Sequence, residues 1–182
     1  MPSLLHASES LLLVVDVHER LARAVANARE VVANNRVLLR AAGLLGVRAL
    51  VSEHCPPSLG PTLPDVLEFC PPGVTVAKTH FSCAAEPAVV ERVAASGARQ
   101  IVVTGMEAHV CVLQSAIGFR ARGYEVFVVR DAAGSRTAAS HAAGLERLAA
   151  SGVTIVTTEM VVFEWLGRAD RPEFKPLLAL IK

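Results

Sequence analysis

Residues 101–131 read IVVTGMEAHVCVLQSAIGFRARGYEVFVVRD. An apolar run rich in β-branched residues at 101–103 leads into a turn at 105–109, a stretch of helical spacing at 110–122, a glycine at 123 and a second apolar run at 126–129. Runs that stay apolar instead of alternating predict strands covered on both faces. Two of them joined by a helix predict neighbours in a parallel sheet.

The same rhythm continues in both directions. Apolar runs recur at 11–15, 47–51, 74–77 and 153–156, with helical stretches at 19–45, 86–96 and 140–150. Gly43, Gly46, Gly97, Gly123 and Gly152 fall between a helical stretch and the next strand, where a left-handed C-cap is cheapest for glycine. The expected organisation is one α/β domain over residues 1–182, a length that buries a core without disulfides or metals. The exception is 53–73, whose prolines at 56, 57, 61, 64, 71 and 72 forbid long regular structure and predict a loop covering a site or an interface. At the C-terminal side, Phe174, Leu177, Leu178, Leu180 and Ile181 predict a short docked helix.

Lys plus Arg number 18 and Asp plus Glu 17, giving a net charge of +1 with no basic stripe, so a nucleic-acid partner is not expected. The early apolar run at 11–15 is too short for a secretory or membrane segment, and a cytoplasmic protein is expected. A hydrophobic fraction of 52% suggests a homo-oligomer. Cys55, Cys70, Cys83 and Cys111 form no CxxC pair and read as free thiols.

In an open parallel sheet, ligands bind beyond the carboxyl ends of the strands. Asp16 closes the first run, Lys78 the third, and Cys111 follows the fourth through its turn. A cysteine starting a helix, beside a lysine, is expected to have a lowered pKa, and an aspartate can take the thiol proton and return it to a leaving group. Taken singly, each has a plainer reading: Cys111 as inert core, Asp16 as a turn cap, Lys78 as a solvated loop residue.

LLLVVDVHERL, VAKTHFSC and VVTGMEAHVCVLQSAIGFRARGYEVFVVRDAAGSR together resemble the isochorismatase-like cysteine hydrolases over nearly the whole chain, and within them the isochorismatase-domain-containing branch. The resemblance implies a three-layer α/β/α fold with a six-stranded, mainly parallel sheet. It also implies an Asp16–Lys78–Cys111 triad, a cis peptide between Met106 and Glu107, and an oxyanion hole made by the backbone N–H groups of Glu107 and Cys111. The implied activity is hydrolysis of a small molecule, of amide type at a C–N bond through a thioester on Cys111, without a cofactor. Alternatives are vinyl-ether hydrolysis, which needs no nucleophilic cysteine, and a non-catalytic interaction protein keeping the fold.

The chain departs from the common Asp-x-Gln pattern with Asp16-Val17-His18. His18 is therefore a candidate for the pocket wall or a structural role, and Phe81 for the wall or for core packing. A metal is not expected: Glu53-His54-Cys55 lacks the Asp-x-His spacing of nicotinamidases, and neither His80 with Cys83 nor His109 with Cys111 makes a convincing chelating pair.

Overall fold

A computed structural model describes residues 4–182. Its centre is a six-stranded sheet of β1 (Ser10–Val15), β2 (Arg48–His54), β3 (Thr75–Lys78), β4 (Gln100–Met106), β5 (Glu125–Gly134) and β6 (Thr154–Val156). The strands lie in the order β3-β2-β1-β4-β5-β6, and every pairing is parallel. This is the order of a doubly wound sheet, with the switch in direction between β1 and β4. The three-layer expectation holds.

Side-chain alternation along β1 shows why its sequence is apolar throughout. Leu12 and Val14 enter one core with Val31, Leu38, Val161 and Leu177. Leu11, Leu13 and Val15 enter the other, with Val89, Val93, Ala116 and Leu148. One face is thus covered by α2 (Ala28–Leu45), α8 (Thr158–Leu166) and α9 (Phe174–Ile181), the opposite face by α5 (Pro87–Ala95), α6 (Leu113–Ala121) and α7 (Ala138–Ala150). Full burial of each Leu or Val side chain contributes about 1.5–3 kcal/mol, which requires both faces of the strand to be apolar. Among the described residues no helix is long and apolar enough to cross a membrane.

Three differences from the sequence reading matter. The helix expected over 19–45 is broken into α1 (Glu19–Ala22) and α2, because Ala26 N–H donates to the Ser135 carbonyl at 3.0 Å and buried Val25 packs at the end of β5. The proline-rich loop contains two single turns, α3 (Pro56–Leu59) and α4 (Pro64–Leu67), each using proline at its start, where no amide hydrogen is needed. Helix α8, absent from the sequence reading, starts where the Thr157 hydroxyl accepts from Met160 N–H at 3.3 Å and the Asp131 carboxylate accepts from Thr158 N–H at 2.8 Å. The expected C-terminal helix is α9, anchored by buried Leu177.

Candidate active site

The candidate residues gather beyond the carboxyl ends of β1, β3 and β4, on the rim where strand order reverses between β1 and β4. Asp16 follows β1 with a φ of +52°, uncommon for any residue but glycine. Its N–H donates to the Ser52 carbonyl at 3.1 Å. Close approach of the neighbouring strand makes this turn possible: Gly105 pairs with Val15, has a φ of +107°, and would place a Cβ 2.0 Å from the Val15 carbonyl oxygen. Only glycine fits there.

Lys78 ends β3, two strands away from β1. At about 4.8 Å per strand that is roughly 10 Å, a gap that needs a long side chain from one side or the other. Lys78 Nζ reaches Asp16 Oδ2 at 2.7 Å, both side chains being fully buried. It also donates to the carbonyls of His80 at 3.1 Å and Phe81 at 3.2 Å. These acceptors use the three N–H bonds of an ammonium group, so Lys78 holds the carboxylate and the following turn with no donor left over.

Cys111 sits inside a π-helical turn, Ala108–Val112, that runs into α6. It is 6% exposed. The sequence reading put it at a helix start with a lowered pKa; here burial, then the negative charge of Asp16, hold the thiol well above its ordinary range. Lys78 opposes this, and a hydrogen bond with Asp16 adds to it. The physical reason is that a buried sulfur is poorly solvated as an anion, and the nearby Asp16 carboxylate adds like-charge repulsion that outweighs Lys78. At rest the sulfur is a neutral thiol beside a carboxylate that can accept its proton.

The peptide bond between Met106 and Glu107 is cis, at the expected place. The Glu107 carboxylate accepts from Arg136 Nε at 2.8 Å, while its carbonyl accepts from Val110 N–H at 3.0 Å and Val112 N–H at 3.2 Å. The side chain thus braces the turn. Helix α7 backs it closely: a Cβ on Gly144 would stand 3.0 Å from His109 Cα.

His18 is fully buried and takes a structural place: its Nε2 accepts from His54 N–H at 2.9 Å, and its backbone bridges Thr62 in the proline-rich loop. Phe81 is 53% exposed, and the rings of Phe81 and His54 lie 5.1 Å apart. Burial, then the Lys78 charge, push the His54 pKa down.

Sequence reasoning passed over Ser52 and Arg136, and weighed His54 and Cys83 only as metal ligands or free thiols. Ser52 Oγ donates to Asp16 Oδ1 at 2.8 Å. The only signal for Ser52 was a polar residue closing an apolar strand. Cys83 is fully buried, and its thiol is raised first by burial and then by Asp16. Among the described residues, no group of three or more His, Cys, Asp or Glu side chains is placed to hold a metal. His80 Nδ1 instead meets Glu86 at 3.1 Å, and His109 Nδ1 meets Ser135 Oγ at 2.9 Å.

The isochorismatase domain model matches residues 10–160, which contain Asp16, Lys78 and Cys111. The chain belongs to the isochorismatase family. It is 31% identical to isochorismatase domain-containing protein 1 of Salmo salar over 92% of its own length, but spans only 59% of that relative. The structure of MAR1 ribonuclease from Caenorhabditis elegans superposes with a TM-score of 0.92 at 29% identity, covering 98% of this chain and 92% of that one. The Escherichia coli YcaC product, an octameric hydrolase of unknown specificity, superposes with a TM-score of 0.93 at 22% identity, covering 100% and 91%. The isochorismatase-like fold and membership in this hydrolase superfamily, on its isochorismatase-domain-containing branch, follow from these matches.

Proposed function

We propose that this chain is a cytoplasmic cysteine hydrolase that cleaves an amide-type C–N bond in a small molecule. The carrying observation is that Asp16 and Lys78 form a fully buried ion pair at 2.7 Å, with buried Cys111 near enough for the Asp16 charge to raise its thiol. A neutral thiol attacks well only if its proton leaves as the S–C bond forms, and a carboxylate in contact is the group to take it. Asp16 accepts that proton while sulfur adds to the substrate carbonyl carbon.

The carbonyl π electrons move onto oxygen, which the backbone N–H groups of Glu107 and Cys111 receive; a single donor of this kind is commonly worth about 3–4 kcal/mol. Collapse expels the amine, which takes the proton back from Asp16 and leaves a thioester on Cys111. Water then adds to the thioester, giving its proton to Asp16, and the thiol leaves reprotonated. Lys78 holds the Asp16 carboxylate in place through their 2.7 Å ion pair. The near-neutral charge of +1 suits a small uncharged or weakly charged substrate better than RNA. Half-exposed Phe81 beside the cleft, and the octameric state of YcaC, support a homo-oligomer.

The test is ammonia release from a panel of small amides, with RNA offered in parallel. Intact-mass detection of an acyl adduct is expected, and Cys111→Ala should abolish both adduct and turnover. Asp16→Asn should also stop turnover, yet speed alkylation of Cys111 by iodoacetamide at pH 8–9, because a negative charge that raises the thiol is gone. Turnover that survives Cys111→Ala would point to vinyl-ether-type chemistry. Cleavage of RNA alone, dependent on Cys111, would overturn the small-molecule reading.

A further inference from the structure

Ser52 grips Asp16 at two points. Its carbonyl accepts the Asp16 N–H at 3.1 Å and its hydroxyl donates to Asp16 Oδ1 at 2.8 Å. Both residues are fully buried, and the register Val15↔Ser52 places Ser52 directly beside the turn into Asp16. The first contact is main chain and would survive almost any substitution at this position. The second belongs to the hydroxyl alone.

The hydroxyl also has a polarity. A serine carries one O–H donor and two acceptor lone pairs, and an ionised carboxylate is acceptor-only, so the hydroxyl hydrogen is committed to Asp16. Behind it, Cys83 is fully buried, and burial above all holds its thiol above the ordinary range. Cys83 is itself fixed through its N–H, which donates to Ser115 Oγ at 2.8 Å, on the helix that follows Cys111. The Ser52 hydroxyl thus holds the carboxylate oxygen that Lys78 does not.

We infer that Ser52 is a positioning residue for the chemistry proposed above: its hydroxyl fixes the Asp16 carboxylate in one rotamer and draws off part of the charge that faces Cys111. The inference rests on that reading for its catalytic meaning, but the contact it describes is independent of any substrate. Asp16 sits in a turn with positive φ, where the neighbouring main chain offers a side chain little help in choosing an orientation. With Lys78 Nζ on Oδ2 and Ser52 Oγ on Oδ1, rotation about χ2 breaks two hydrogen bonds at once. The ionisable groups around this point are Lys78, Cys111, Cys83, His54 and His18. Ser52 is the neutral hydroxyl among them that donates to the carboxylate.

The experiment compares Ser52→Thr with Ser52→Val, two nearly isosteric side chains that differ by the hydroxyl, with Ser52→Ala as a third variant. The first readout is the rate of iodoacetamide labelling at Cys111, followed by peptide mass mapping between pH 7 and pH 10. Losing the hydroxyl leaves more negative charge facing the thiol, so Ser52→Val and Ser52→Ala should label Cys111 roughly three- to tenfold more slowly than the native protein, and Ser52→Thr should recover the native rate. A hydroxyl that served only packing would do the reverse, since a loosened pocket admits the reagent faster. Labelling that is unchanged or faster in Ser52→Val overturns the inference. The second readout is turnover of the amide found above: kcat should fall about tenfold in Ser52→Val with KM unchanged, and recover in Ser52→Thr. Absence of any amide turnover in the native protein would count against the proposed function and leave the labelling comparison to decide the role of Ser52.

Discussion

Replacing Lys78 by methionine removes one half of an ion pair with no exposure on either side. The side-chain length is nearly preserved, so the change is electrostatic. Asp16 would keep the Ser52 hydroxyl at 2.8 Å and face water with none of its atoms. Breaking a buried pair from one side costs about 3–5 kcal/mol, because the remaining charge is stranded. Against a typical folding free energy of about 5–15 kcal/mol that is a large fraction. In a chain of this size, where 1 kcal/mol moves Tm by about 2–4 °C, it corresponds to a fall of roughly 10 °C. The double variant Asp16→Asn with Lys78→Met strands no charge and should cost less than Lys78→Met alone, with a coupling of at least about 2 kcal/mol. Urea unfolding at pH 7, read at matched m-values, measures all four proteins of the cycle. Costs that add to within about 0.5 kcal/mol would refute the reasoning, since the two side chains would then not be acting on each other.

Gly105→Ala should be among the most damaging small substitutions, because its Cβ would overlap the Val15 carbonyl 2.0 Å away and its φ of +107° disfavours any side chain. Backbone strain and overpacking together suggest about 3–5 kcal/mol, whereas Gly46→Ala, with nothing within 4 Å, should cost only about 1 kcal/mol in the same thermal melt. For His54, the folded-state pKa is depressed, so the unfolded chain takes up the proton first as pH falls. Stability should therefore decline from about pH 7 downward through the ordinary histidine range, and His54→Gln should flatten that part of the curve. A variant curve parallel to the native one would contradict this.

The covered strands and their parallel pairing were legible because burial on both faces leaves a direct mark: LLLVV and IVV carry no polar alternation, and a helix lies between those runs and their neighbours. The candidate triad was legible for a related reason, as Asp16, Lys78 and Cys111 are polar residues placed where apolar runs stop. Other features left no such mark. Helix α8 begins with threonines whose capping partner, Asp131, lies in another element. The break after α1 is imposed by a hydrogen bond to Ser135, distant in sequence.

The state of the candidate nucleophile, Cys111, was read in the wrong direction for the same reason. A lysine near a cysteine suggests a lowered thiol pKa, and Lys78 does pull in that direction, but burial and then the Asp16 charge outweigh it. Local pattern alone determined which residues form strands and which polar groups stand at their ends, since those follow from side-chain period and solvent exposure. Distance and burial between separate elements decided the protonation of Cys111, the orientation of Asp16 and the part played by Ser52. Coulomb and hydrogen-bond energies depend on separation in space and on local dielectric, and neither is written in the order of residues along a chain.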